Sequence, residues 1–204
     1  MPEPARDFLL LGNLPCLDLV NTVPVRRGVP CDLLPAFAEL VAWLEAAGCV
    51  TRAEARDALA RWDGTAEGRG VWKAALSLRE ALRTMAERLA AGRSVGPEVV
   101  GAINAVLAAR PTYPELVAVG RRWVRRERVP GEAALHLLAP VAASAAWLLE
   151  HGDPALLRKC ENPDCVLYFY DTTKNKRRRW CSMDGCGARA KAAAYYRRER
   201  RKAR

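Results

Sequence analysis

The sequence predicts a mainly α protein, with a multihelical N-terminal domain over residues 1–152 and a small hairpin-plus-helix module over residues 153–204. Three observations carry this. Apolar residues recur at helical spacing through most of the first domain, while four cysteines and several aromatics crowd into the second. Half the residues are hydrophobic, enough for one sizeable core plus an appendage. The charge is also divided: residues 158–204 hold 15 Lys+Arg against 5 Asp+Glu, and residues 1–157 hold 18 of each. The net charge of +10 therefore falls on the cysteine-bearing segment. A neutral domain joined to a basic module is the footprint of a polyanion binder, and a solvated tail is the bland alternative.

The helices follow in order. In "DLLPAFAELVAWLEAAG", Asp32 is a candidate cap, Phe37, Leu40, Val41 and Leu44 form a stripe, and Gly48 is placed to end the helix. "TRAEARDALARW" opens on a capping box, Thr51 with Glu54. "VWKAALSLREALRTMAERLAAG" is the longest helix, with Leu78, Leu82, Met85 and Leu89 on one face. Another starts at Pro97 and points Val100, Ile103 and Leu107 inward. "ELVAVGRRWVRRERVPG" reads as a hairpin about Gly120, with a helical arm as the rival. Pro140 should kink or split the last helix of the domain, and Gly152-Asp153-Pro154 marks the boundary.

Near the start, "PCLDLVNT" mixes buried-looking Leu17, Leu19 and Val20 with polar Asp18, Asn21 and Thr22. Those three polar residues either cap a helix end and bond to backbone, or line a small effector pocket; capping is the commoner use of Asp, Asn and Thr.

Several function classes find no support. No phosphate-cradling glycine loop, nucleophile elbow or His–Glu metal pattern occurs, and the two histidines, His136 and His151, sit on an apolar stretch and at a helix end. The chain is therefore expected not to be an enzyme. The early apolar stretch contains Asp18 and follows "MPEPARD", so it does not read as a secretory leader, and no apolar run is long enough to span a bilayer. A cytoplasmic protein without a membrane partner is expected. In that reducing setting cysteines serve more often as metal ligands or core residues than as disulfides.

The cysteines of the module are spaced Cys160-x4-Cys165, fifteen residues, then Cys181-x4-Cys186. Two close pairs separated by a hairpin-sized insert can converge on one tetrahedral ion, and four thiolates without histidine suit a closed structural Zn2+ site. Such a site has no open position for a substrate. Iron–sulfur spacings are commonly tighter, and a redox pair would show Cys-x-x-Cys. The insert "VLYFYDTTKNKRRRWC" reads as a hairpin with its tip near Thr173–Asn175, followed by a basic, alanine-rich helix, a treble-clef-like arrangement. Lys174, Lys176, Arg177, Arg178, Arg179, Arg189, Lys191, Arg197 and Arg198 are the candidate phosphate contacts. Alternation along a strand sends Arg178 to the face opposite Arg177 and Arg179. Cys16, Cys31 and Cys49 are expected to be ordinary core cysteines.

The module resembles the CGNR zinc finger, a bacterial family, through its cysteine spacing, Asp171, the run Arg179-Trp180-Cys181-Ser182-Met183 and the tetrad Cys186-Gly187-Ala188-Arg189. Upstream, "CLDLVNT" and the helix after it are similar to the opening of the ABATE domain. The resemblance implies a stress-induced transcription regulator with a multihelical domain and a zinc-bearing, DNA-contacting tail. Ala188 stands where the family tetrad has Asn, which bears on capping of the last helix or on reading of a base. The leading expectation is a DNA-binding regulator controlled by a small-molecule effector of the helical domain, with a homodimer suggested by analogy to palindrome readers. The alternative is an RNA- or ribosome-associated zinc protein.

Overall fold

Helix α4 (Ala66–Ala90) is the pillar of the N-terminal domain in the computed structural model, which describes residues 8–109, 113–128 and 133–202. It forms because Thr65 accepts from the Gly68 N–H and caps its start, five residues before the apolar stripe suggested. Val71, Ala75, Leu78, Leu82 and Met85 face inward, and Leu82 and Met85 are wholly buried. Each side chain of that size contributes about 1.5–3 kcal/mol through burial. Around α4 pack α1 (Pro15–Val20), α2 (Phe37–Ala46), α3 (Arg52–Trp62) and α5 (Pro97–Leu107).

The local chemistry explains both agreements and shifts. The capping box on α3 is complete, with Thr51 accepting from the Glu54 N–H and Glu54 accepting from Thr51. Gly48 follows α2 at φ +69°, where a side chain would be strained. Asp32 does not cap α2, which begins at Phe37; its carboxylate instead takes a bidentate pair from Arg79 at 2.7 and 2.8 Å. That pair holds the Asp32 carboxyl below its usual range. On α5 the inward set is Val99, Ile103 and Val106; Ile103 is as expected, Leu107 is partly buried against the same core, and Val100 is exposed. Pro140 splits the last helix as expected, into a 3-10 turn (Ala134–Leu138) and α6 (Ala139–His151).

Three two-stranded antiparallel pairs are described: β1 (Val25–Arg26) with β2 (Val29–Pro30), β3 (Tyr113–Val119) with β4 (Arg122–Arg128), and β5 (Leu157–Lys159) with β6 (Tyr168–Tyr170). The second is the predicted hairpin about Gly120. The third corrects an expectation: β6 pairs with β5, which precedes the cysteines, and not with the arginine run that follows Asn175. The segment Arg177–Trp180 forms no strand. The first cysteine pair therefore sits at the tip of the β5–β6 hairpin. A short π-turn (Met183–Gly187), which contains the last cysteine, leads into α7 (Ala188–Lys202).

Strand β6 belongs to two cores at once. Tyr168 and Tyr170 pack into the main helical core, while Phe169, on the opposite face, packs with Cys160, Leu167, Cys181 and Cys186. This is the period of two along an extended chain put to use on both sides. The N-terminal segment fastens the same strand: the Tyr170 N–H donates to Gly12 and the Asn13 side chain donates to the Tyr170 carbonyl. Gly12 itself has no room for a side chain, since a Cβ there would lie 2.8 Å from that of Leu17.

Asp18, Asn21 and Thr22 are all buried, and each is spent on protein partners. Thr22 donates to the Leu19 carbonyl and accepts from Arg79. Asn21 donates to the Tyr168 carbonyl at 2.9 Å and accepts from the Tyr168 N–H at 3.0 Å. Asp18 accepts from the Gly12 N–H at 2.7 Å. This is the hydrogen-bonding use of these residues. Burial raises the Asp18 carboxyl to about 6. A carboxyl whose folded pKa lies above its unfolded value of about 3.9 contributes most below pH 4, and the contribution is lost as pH rises to about 6. Asp18→Asn keeps an acceptor for Gly12 and removes the titration. Urea unfolding of both proteins should show the variant gaining on the parent between pH 4 and 6 and holding that gain to pH 7.5; a difference independent of pH would refute this reading.

Candidate metal centre and nucleic-acid interface

The sulfurs of Cys160, Cys165, Cys181 and Cys186 converge, every pair within 4.8 Å. Two elements bring them there. The β5–β6 hairpin presents Cys160 and Cys165, and the Asn162 side chain accepts from the Asp164 N–H to close the turn between them. The loop from Thr172 returns to Cys181, and the π-turn places Cys186 beside it. Ser182 begins this turn by accepting from the Gly185 N–H. The sulfurs of Cys165 and Cys181 lie 3.8 Å apart, and those of Cys181 and Cys186 3.6 Å apart. A tetrahedron with Zn–S bonds of about 2.3 Å has edges of about 3.8 Å, so the four donors fit zinc. No other described group of His, Cys, Asp or Glu is so gathered.

The electrostatics lead to the same ion. Hydrogen bonding from Cys181 pulls the Cys165 thiol down to about 5, while the same bond drives Cys181 far up and burial raises Cys160. Four sulfurs at these distances cannot all be thiolates unless a cation sits among them. Two side chains already turn donors toward the cluster: Asn162 at 3.4 Å and Arg189 at 3.0 Å, both to the Cys186 sulfur. Such donors orient and stabilise a ligating thiolate. Arg189 was expected at phosphate, and Asn162 has no signal in the spacing of the cysteines. Elsewhere burial pushes Cys16 up to about 12 and Cys49 to about 11, as suits unreactive core thiols.

Family models match the chain over residues 13–152, with the ABATE domain described as "Putative stress-induced transcription regulator", and over residues 157–199, with the CGNR zinc finger. The chain belongs to the ABATE family. Its C-terminal part is a CGNR zinc finger, and the four cysteines form one structural zinc site. No curated protein matches the chain. In this ABATE–CGNR chain Ala188 has helical dihedrals, φ −62° and ψ −44°, whereas an N-cap is extended. An Asn at this position would not cap the last helix, and Ala is the better helix former there.

The expected nucleic-acid contacts divide into two groups. Lys174 and Arg177 on the return loop, and Lys191, Arg197 and Arg198 on α7, are exposed. Lys191, Tyr195 and Arg198 fall at i, i+4 and i+7, which puts them on one side of the helix. The others are engaged within the fold. Arg178 is the clearest case: it donates to the carbonyls of Trp180, Leu11 and Cys181, and its guanidinium lies 4.3 Å from the Phe169 ring. Arg178 does turn inward, as a structural clamp, but from a loop and not from the strand on which the alternation was expected. Arg179 pairs with Glu161 at 2.5 Å and lies over Trp180. Lys176 donates to the Asp171 carbonyl.

Asp171 is fully buried and organises the loop by accepting from the Thr173 N–H and hydroxyl and from the Arg178 N–H. Burial would raise its carboxyl, and these hydrogen bonds outweigh burial and hold it low. Arg158, which sequence reasoning passed over, donates to the carbonyls of Lys176 and Arg178 and pins the same loop. Between the metal centre and the N-terminal segment lies a cleft of about 330 Å3, lined by Leu9, Leu11, Val25, Val166, Arg26 and Arg189. Asp18, Asn21 and Thr22 do not line it.

Proposed function

We propose that this chain is a DNA-binding transcription regulator, a binding protein rather than an enzyme, whose zinc finger and α7 contact the duplex backbone. The observation that carries the reading is the set of exposed cations on the metal-locked module, the loop with Lys174 and Arg177 and the helix with Lys191, Arg197 and Arg198. Zinc, when bound, supplies the rigidity that fixes these groups relative to one another. The chain's own Arg178, Arg158 and Asp171 hold the loop from within, which spares the outer cations for phosphate. Effector control is assigned to the cleft of about 330 Å3, because an occupant there would touch both the N-terminal segment and the metal knuckles.

Fluorescence anisotropy of the zinc-loaded full chain tests this, with its own upstream DNA, a scrambled duplex and structured RNA, each across a salt series. Replacing Arg197 and Arg198 by glutamine should lower the slope of log K against log salt by about 0.9 per lost phosphate contact. No binding to the duplex even at low salt refutes the proposal. Preference for RNA over either duplex would move the function to the RNA- or ribosome-associated alternative.

A further inference from the structure

The β3–β4 ribbon plays no part in the site described so far. Seven residue pairs join the strands, from Tyr113↔Arg128 to Val119↔Arg122. At about 3.4 Å per residue the ribbon is about 20 Å long. Among the described residues neither strand packs substantially against another element, and neither contributes to a buried core. A lone two-stranded hairpin is marginal in water, so a ribbon of this length needs a partner. Leu116, Val119, Trp123 and Val124 are exposed on it, Trp123 at 71%.

The charge says what the partner is. Residues 113–128 hold five arginines against Glu115 and Glu127, while the rest of residues 1–157 holds 13 basic and 16 acidic side chains. The zero net charge of residues 1–157 thus hides a cationic arm of +3 on a body of −3. Arg121 and Arg122 are exposed at its tip, beside Trp123. A second copy of the same arm would set like charge against like. A B-form major groove, about 12 Å wide, admits a two-stranded ribbon and is walled by phosphates.

We infer that the β3–β4 ribbon is a second duplex-DNA contact, with Arg121 and Arg122 on phosphates and Trp123 reaching into the groove. The inference rests on the DNA-binding reading above and adds an element that the zinc finger does not contain. It also gives the exposed tryptophan an occupant, since apolar and aromatic side chains are used against base edges and thymine methyl groups.

The test compares the zinc-loaded full chain with R121A/R122A, R121K/R122K and, as a control for bulk charge, R52A/R56A, two exposed arginines on α3. Affinity for duplex DNA is followed across a salt series, and mass in solution is measured for each protein. R121A/R122A should lose about 1.8 from the salt slope, at about 0.9 per phosphate, with R121K/R122K and the control near the parent. W123A should weaken binding without changing the slope. An unchanged slope in R121A/R122A, or an equal loss in the control, overturns the inference and leaves the finger reading intact. A change in mass with no change in slope would assign the ribbon to self-association and overturn it too. A slope change on structured RNA alone overturns it as well, because the A-form major groove is too narrow for the ribbon. If the parent binds no duplex at all, the reading of the finger fails first, and this inference fails with it.

Discussion

Replacing Cys181 by serine should abolish zinc retention and lower the melting temperature of the whole chain, not of its last residues alone. Serine offers a hard oxygen in place of a thiolate, and a three-sulfur remnant holds zinc poorly. Structural zinc supplies about 10–16 kcal/mol to finger peptides at neutral pH, comparable with the whole stability of about 5–15 kcal/mol of a native protein. In a chain where the finger hung from a linker, that loss would stay local. Here β6 carries Phe169 into the metal core and Tyr168 and Tyr170 into the helical core, so melting one face releases the other. Metal content by atomic absorption and thermal unfolding by circular dichroism check the two halves. A variant that loses zinc while its helices melt at the parent temperature would show that the cores are independent.

Asn21→Leu should destabilise the chain by about 2–4 kcal/mol, out of proportion to a volume-conserving change. The Asn21 amide satisfies both the N–H and the carbonyl of Tyr168, in a site where Asn21 is 1% exposed. Leucine fills the space and leaves both backbone groups buried without partners. Asn21→Asp is the sharper probe. Its carboxylate still accepts from the Tyr168 N–H but sets an oxygen against the Tyr168 carbonyl, and only the protonated acid can donate there. That variant should recover part of the lost stability as pH falls, relative to Asn21→Leu at the same pH. Urea midpoints for the three proteins decide it, and a loss below about 0.5 kcal/mol in Asn21→Leu would mean the clasp contributes little.

What the sequence made legible was chemistry that acts over a few residues. Cysteine spacing located the metal, Thr51 and Glu54 located a helix start, and Pro140 located a break, because each works through its near neighbours. The inward turn of Arg178 was expected from strand alternation, but it arises in a loop and is held by the bonds to Trp180, Leu11 and Cys181. The misreadings involve choices made across the fold. β6 has strong strand character, but nothing local says whether Leu157–Lys159 or the arginine run becomes its partner. The arginine run loses because Asp171 and Arg158 bind its backbone groups into a loop. The exposure of Val100 has the same origin, since Val99 and Val100 are equally apolar and only the neighbours choose between them.

The clasping of Gly12 and Asn13 onto Tyr170, and of Leu11 onto Arg178, has a consequence for the birth of the protein. Leu11 and Asn13 are completed by partners 167 and 157 residues later in the chain. A nascent chain emerging from the ribosome can wind α2 through α6 early, but it must carry an unfinished seam until the metal-bearing hairpin has been synthesised. Closure of the fold therefore waits on that hairpin and on the ion that organises it.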